Sequence, residues 1–169
     1  MTSTALRLPL FLATVCVFSA PVTLVRAEDA ALAAALKDTT VTLQGGLKAS
    51  EREGTPISAK FEVEDGKLQL SVYTMKGNDF MEVVADPKTG AIAKVEKITD
   101  ADDLKAATSQ KAAMAKAKVP LLAATENAVK ANSGFRAVSI FPELKNGQAT
   151  GEVTLMQGAT FKKVIERLD

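Results

Sequence analysis

The chain of 169 residues contains no histidine and no tryptophan, and it has one cysteine and one tyrosine. Without an imidazole there is no Ser-His-Asp or Cys-His relay and no histidine ligand for zinc or haem. The lone cysteine, Cys16, excludes an internal disulfide and any cysteine-based metal cluster. Charge of one sign is also missing, because 21 basic residues stand against 20 acidic ones. A balance of that kind argues against nucleic acid or an anionic membrane surface as the main partner. Aromatic residues make up 5% of the chain, too few for a base-stacking surface. An apolar share of 47% is enough to build a packed core.

The longest apolar run lies at the beginning. Arg7 precedes Leu8 to Ala20, with Pro9 and Pro21 near its ends, and Val25-Arg26-Ala27 has the small residues of a cleavage site. The run is shorter than the roughly 20 residues a bilayer-spanning helix needs. These features predict a secretory signal peptide over residues 1–27, with export to the periplasm or the exterior and no membrane span after cleavage. Cys16 follows Val15 where a lipoprotein signal needs a small residue, so it is read as packing within the leader. Loss of Arg7 and Arg26, with no acid lost, turns the net charge from +1 to −1 and leaves no cysteine.

The remainder carries an internal repeat. At an offset of 81 residues Gly66 meets Gly147, Val72 meets Val153, and Met75 meets Met156. Gly77 likewise meets Gly158, Phe80 meets Phe161, and Val83 meets Val164. Each copy reads as a helix followed by a meander. In the first, Thr39 or Thr40 caps a helix carrying Val41, Gln44 and Leu47, and Gly54 closes it. Ile57, Ala59, Phe61 and Val63 then alternate with polar residues, as in a half-buried antiparallel strand. Asp65-Gly66 is a two-residue hairpin turn and Gly77-Asn78 the next turn. Asp86-Pro87-Lys88-Thr89-Gly90 leads into a fourth strand, Ile92 to Ile98. The second copy has a helix from Pro120 to Ser133-Gly134, an Asn146-Gly147 turn and a Gly158 turn, and lacks the fourth strand. Thr99 to Lys118, with acids first and lysines last, reads as a helical connector.

The fold class expected is α+β, as two similar modules each made of one helix on a small antiparallel meander. The first module spans 28–98, the connector 99–118, and the second, shorter by one strand, 119–169.

The segment FEVEDGKLQLSVYTMKGNDFMEVVADPKTGAIAKVEKI, with its acidic-Gly hairpin and its Asp86, Thr89, Gly90 turn, resembles a PepSY domain. The resemblance covers residues 40–98 well and 119–167 more weakly, since the second copy lacks the D-x-x-T-G turn. It implies an extracytoplasmic, non-enzymatic protein that binds other proteins, with secreted peptidases as the partners to expect. It carries no catalytic signature and no cofactor.

The residue types present agree with that class. No G-x-S-x-G or S-x-x-K nucleophile and no phosphate-binding glycine loop occurs. Asp100, Asp102 and Asp103 are oxygen ligands that suit calcium, but at a helix start they serve the dipole more simply. Glu62 and Glu64 read as the solvated side of a strand. The alternative function is binding or sensing of a small ligand or metal ion in the cell envelope. The missing strand leaves Phe161–Leu168 at a sheet edge, open to strand addition by a partner or by another copy of the chain. Phe161, Val164 and Ile165 are the expected adjoining apolar residues there, with Lys162, Lys163 and Arg167 as shields.

Overall fold

A computed structural model describes residues 27–169, so the expected signal peptide lies outside the described residues except for Ala27. The order of elements is α1 (Ala27–Ala35), α2 (Leu43–Ser50), β1 (Thr55–Glu64), β2 (Lys67–Lys76), β3 (Asp79–Ala85), β4 (Ile92–Lys97), α3 (Ala101–Met114), α4 (Leu121–Ala131), β5 (Arg136–Lys145), β6 (Gln148–Gln157) and β7 (Thr160–Arg167). Helix and antiparallel sheet are segregated along each half, which is the α+β class.

The 81-residue offset extends through the strands. β1 begins at Thr55 and β5 at Arg136, β2 at Lys67 and β6 at Gln148, β3 at Asp79 and β7 at Thr160. The irregularities repeat as well, one between Pro56 and Ser58 and one between Ala137 and Ser139. Asp65-Gly66 and Asn146-Gly147 both have positive φ at the two central positions, as a type I′ hairpin requires.

The two halves do not form separate sheets. One seven-stranded sheet runs β4-β3-β2-β1-β5-β6-β7, joined in the middle by antiparallel pairing of β1 with β5. That seam pairs Ala59 with Ile140 and Lys60 with Ser139. Ile140 stands 81 residues after Ala59, so the halves meet about a local two-fold axis, each offering the same strand position. A single core follows, in which Leu43, Leu47, Ala59, Leu70 and Val72 lie in one cluster with Leu121, Ala128, Ile140 and Val153. Full burial of a leucine such as Leu43 or Leu47 contributes about 1.5–3 kcal/mol.

The helices differ from the sequence expectation in three ways. α1 is additional: its alanine-rich stretch gave no apolar period, yet Ala33 and, just beyond it, Leu36 are buried in the core. α2 begins later than expected, because Thr42 is the cap and its Oγ1 accepts from Gly45 N at 3.0 Å. Val41 precedes the helix and packs against the core from the linker. α4 begins at Leu121 with Pro120 as its N-cap and not inside the helix, and the preceding segment forms α3, a separate helix capped by Asp100. α3 lies on the sheet face opposite α2. Its Gln110 accepts from Ser58 Oγ at 2.8 Å, and Ser58 alternates with Ala59 of the core face.

Arg136 fixes the α1–α2 linker to the sheet. Its guanidinium donates to the carbonyls of Leu36 (3.3 Å), Thr39 (2.9 Å) and Val41 (2.6 Å) and lies 5.5 Å from the Phe61 ring centre. Burial holds this guanidinium somewhat below its ordinary range, and it stays charged. Gly46 sets how closely α2 approaches β2, since a Cβ there would run into the Leu70 side chain, 2.9 Å from Cγ.

Two stability measurements follow. Replacing Arg136 by Met leaves three linker carbonyls without their donor and should cost about 2–4 kcal/mol in urea unfolding; a loss under about 0.5 kcal/mol would show the clamp to be idle. Gly46→Ala gains about 1 kcal/mol of helix propensity. Overpacking against Leu70 opposes it with about 1–3 kcal/mol. The melting temperature should therefore fall, and a rise would contradict the close approach.

Candidate interaction edge

Among the described residues, β7 has a neighbour on one side only. β6 pairs with it from Thr150 opposite Arg167 to Gln157 opposite Thr160. Just past its end, Leu168 N donates to Ala149 O at 2.9 Å. Leu168 is also a peg: its side chain is fully buried, and its carbonyl accepts from Lys118 N (2.5 Å) and Val119 N (2.9 Å). The end of β7 is thereby held firmly against the α3–α4 connector, while its outer side stays open.

The three expected edge residues do not form one apolar patch. Val164 and Ile165 are adjacent, so they face opposite sides of the sheet. Val164 is half-buried against the core cluster on the helix side, and Phe161, on the opposite face of the strand, is half-buried beside Met156. Ile165 points to the other side beside Glu152 and is 49% exposed, the most exposed large apolar side chain among the described residues. Lys162, on the helix side, donates to Asn132 Oδ1 at 2.6 Å and lies 4.2 Å from the Phe135 ring centre. Lys163 pairs with Glu152 at 2.6 Å, and Arg167 reaches Asp169 at 3.2 Å. The shielding cations are thus partly occupied within the chain. β4, the opposite edge, is shorter and carries the pairs Lys94–Glu96 (2.7 Å) and Lys97–Asp79 (2.7 Å).

The other expected positions have local structural work. Asp86 Oδ1 accepts from Lys88 N (3.0 Å), Thr89 N (2.8 Å) and Thr89 Oγ1 (2.9 Å), closing its own turn. Those hydrogen bonds, from the Thr89 backbone first, hold its carboxyl below the ordinary carboxylate range. Asp100 Oδ1 accepts from Asp102 N (2.9 Å) and Asp103 N (3.2 Å), so it caps α3. No group of carboxylates able to hold a metal ion occurs among the described residues. Glu62 pairs with Lys60 at 2.5 Å, and Glu62 and Glu64 both accept from Gln69 Nε2.

A cavity of about 390 Å³ was not legible in the sequence. It lies where α2 and the start of β1 meet the α3–α4 connector, lined by Leu47, Pro56, Met114, Val119 and Leu122, with Glu51 and Lys118 among its polar groups. Its walls come from both halves, so no single segment announces it.

On the opposite face, Tyr73 sits beside Lys60 and under α3. Burial pushes its phenol up to about 12, against an opposing pull from Lys60. The neutral phenol therefore favours the folded state below the ordinary value of 10.0, and that contribution is lost as pH rises through about 12. Tyr73 is the sole tyrosine, so a spectrophotometric phenolate titration reads it alone. The midpoint should lie near 12; a midpoint near 10.0 in the folded protein would show that α3 does not cover it.

No family model and no curated protein matches the chain. Among solved structures, a protein described as a "putative lipoprotein" from Clostridium difficile 630 superposes with a TM-score of 0.40 at 15% identity, covering 79% of this chain and 90% of that one. A likeness of that size carries no functional argument. No helix among the described residues is long and apolar enough to cross a membrane.

Proposed function

We propose that the chain is an exported, non-catalytic protein that binds other proteins by strand addition along β7, with secreted peptidases as the partner class. The observation that supports this most is the open edge of β7, anchored at its end by Leu168 and carrying an exposed isoleucine. An added strand would gain main-chain hydrogen bonds from the edge and side-chain contact from Ile165 and Phe161. The leader over residues 1–27 and the resemblance to PepSY domains over residues 40–98 support export and the choice of partner.

Action would be steric. A segment of a peptidase, or the loop that flanks its groove, pairs with β7 and is held away from substrate. Ile165→Pro tests the mode directly. By the alternation set by Leu168 and Ala149, the Ile165 N–H points away from β6, so proline removes an outward donor and leaves the β6 pairing intact. Residues 28–169 should bind extended peptides and slow secreted peptidases of the source organism, and Ile165→Pro should weaken both by about tenfold or more, the loss of one to two edge hydrogen bonds with their strand geometry. Absence of binding and of slowing with the unaltered chain would remove the reading.

The apolar cavity favours a second reading, the binding of a small apolar ligand in the cell envelope. Its volume lies in the range of about 300–1,000 Å³ usual for ligand sites. Saturable uptake of an environment-sensitive apolar dye, lost on Leu122→Trp with β7 binding unchanged, would support it over the edge.

A further inference from the structure

In an antiparallel pair, opposed residues alternate between those that exchange hydrogen bonds and those that do not. The Leu168 N–H to Ala149 O bond fixes the phase for β7. Thr160, Lys162, Val164 and Glu166 turn their backbone groups toward β6, and Phe161, Lys163, Ile165 and Arg167 turn theirs outward. The first half shows what such a set does. Ile98 N donates to Phe80 O at 2.9 Å, so Phe80, Glu82 and Val84 bond to β4. These residues stand 81 positions before Phe161, Lys163 and Ile165. β4 thus fills in the first half the place that is open beside β7.

We propose that this place is taken by β7 of a second copy of the chain, antiparallel and related by a two-fold axis through Val164. The proposal rests on the reading of β7 as a pairing edge and names its partner. In this register Lys162 stands opposite Glu166 of the second copy, twice by symmetry, and Val164 opposite its own equivalent on the helix side. On the other side Phe161 stands opposite Arg167, and Lys163 opposite Ile165. Opposite charges and apolar pairs directly across a ladder stabilise it, and like charges destabilise it. A slip of one hydrogen-bonded pair in one direction puts Lys163 against Lys163, and in the other puts Lys163 against Arg167. One register alone is self-complementary.

The side chains are free to serve. Glu166 has no ion pair among the described residues. The Lys162 ammonium bonds Asn132 and lies over the Phe135 ring, which leaves two of its three donors. Arg167 bonds Asp169 through the edge of its exposed guanidinium, which leaves the planar face for an aromatic ring. α4 packs over one face of β5, β6 and β7, while the outward backbone edge of β7 has no neighbour among the described residues. β4 is a poorer partner for β7. The two strands run in the same direction in the sheet, so joining copies by translation gives a parallel, head-to-tail contact that never closes. The two-fold contact closes, and it repeats between copies the arrangement that β1 and β5 make within one. About eight main-chain hydrogen bonds and a narrow contact make this a dimer set by concentration and not a permanent one.

Sedimentation velocity from about 5 µM to about 500 µM should show a reversible monomer–dimer transition in the unaltered chain. Glu166→Lys opposes two lysines twice, Lys162→Glu opposes two glutamates twice, and each alone should weaken the dimer by about tenfold or more. Mixing the two variants restores both ion pairs, so the mixture should associate at least as well as the unaltered chain. That rescue is not open to a variant that merely fails to fold, and circular dichroism checks each fold. Monomers at every concentration, dimers indifferent to both variants, or a mixture no better than its parts would each overturn the proposal. If the chain stays monomeric but binds an extended alternating peptide that Ile165→Pro rejects, self-pairing fails and the edge reading stands. If it does neither, both fail.

Discussion

The seam between β1 and β5 is the constraint on which everything else rests. It is short, with Ala59 against Ile140 and Lys60 against Ser139, yet it turns two meanders into one sheet with one core. A three- or four-stranded meander with one small helix buries too little apolar surface to stand well alone. Joined, the halves share their helices: α2 packs on β1, β2 and β5, and α4 reaches back to α2 and β1. Arg136 then stitches the linker before α2 to the second half through three carbonyls. Two halves of like sequence meet through like surfaces, as in a symmetric dimer whose subunits have been fused.

That symmetry is broken in one place, and the functional reading follows from the break. The first half ends its sheet with a short strand that carries paired charges, while the second ends, among the described residues, on β7 with its outward backbone groups unpaired and Ile165 exposed. Covering an edge is the common way to keep a sheet from pairing with strangers. Leaving one uncovered, and fixing its end with a buried leucine, makes a rigid template instead of a frayed one. Strand addition by another protein and self-pairing use the same backbone groups, so each excludes the other.

Much of this was legible in the residues, for definite reasons. Turns announce themselves: Asp65-Gly66, Asn146-Gly147, Gly77 and Gly158 fall where the strands reverse, because only those residues take positive φ cheaply. Strand limits follow from alternation between such turns, and the 81-residue offset carries one half's limits to the other. The missing outer strand exposed β7 as an edge. The seam was not legible, since pairing of β1 with β5 is a contact between strands far apart in sequence and leaves no local mark. α1 was hidden because alanine forms helices without showing a face. The apolar surface expected from Phe161, Val164 and Ile165 overlooked that adjacent strand residues point apart, and the alternate set of Lys162, Val164 and Glu166 became visible only once Leu168 fixed the ladder's phase.

Leu168 has a consequence for the order in which the molecule can be completed during synthesis. It binds Ala149 on one side and Lys118 and Val119 on the other, and its side chain closes the core between them. All three partners leave the ribosome before it does. Until it arrives, β6 lacks its terminal bond and the connector lacks its anchor, so the fold of the described residues is not locked before Leu168 is made. The same peg that later stiffens the edge thus delays the final locking until nearly the last of the described residues has emerged.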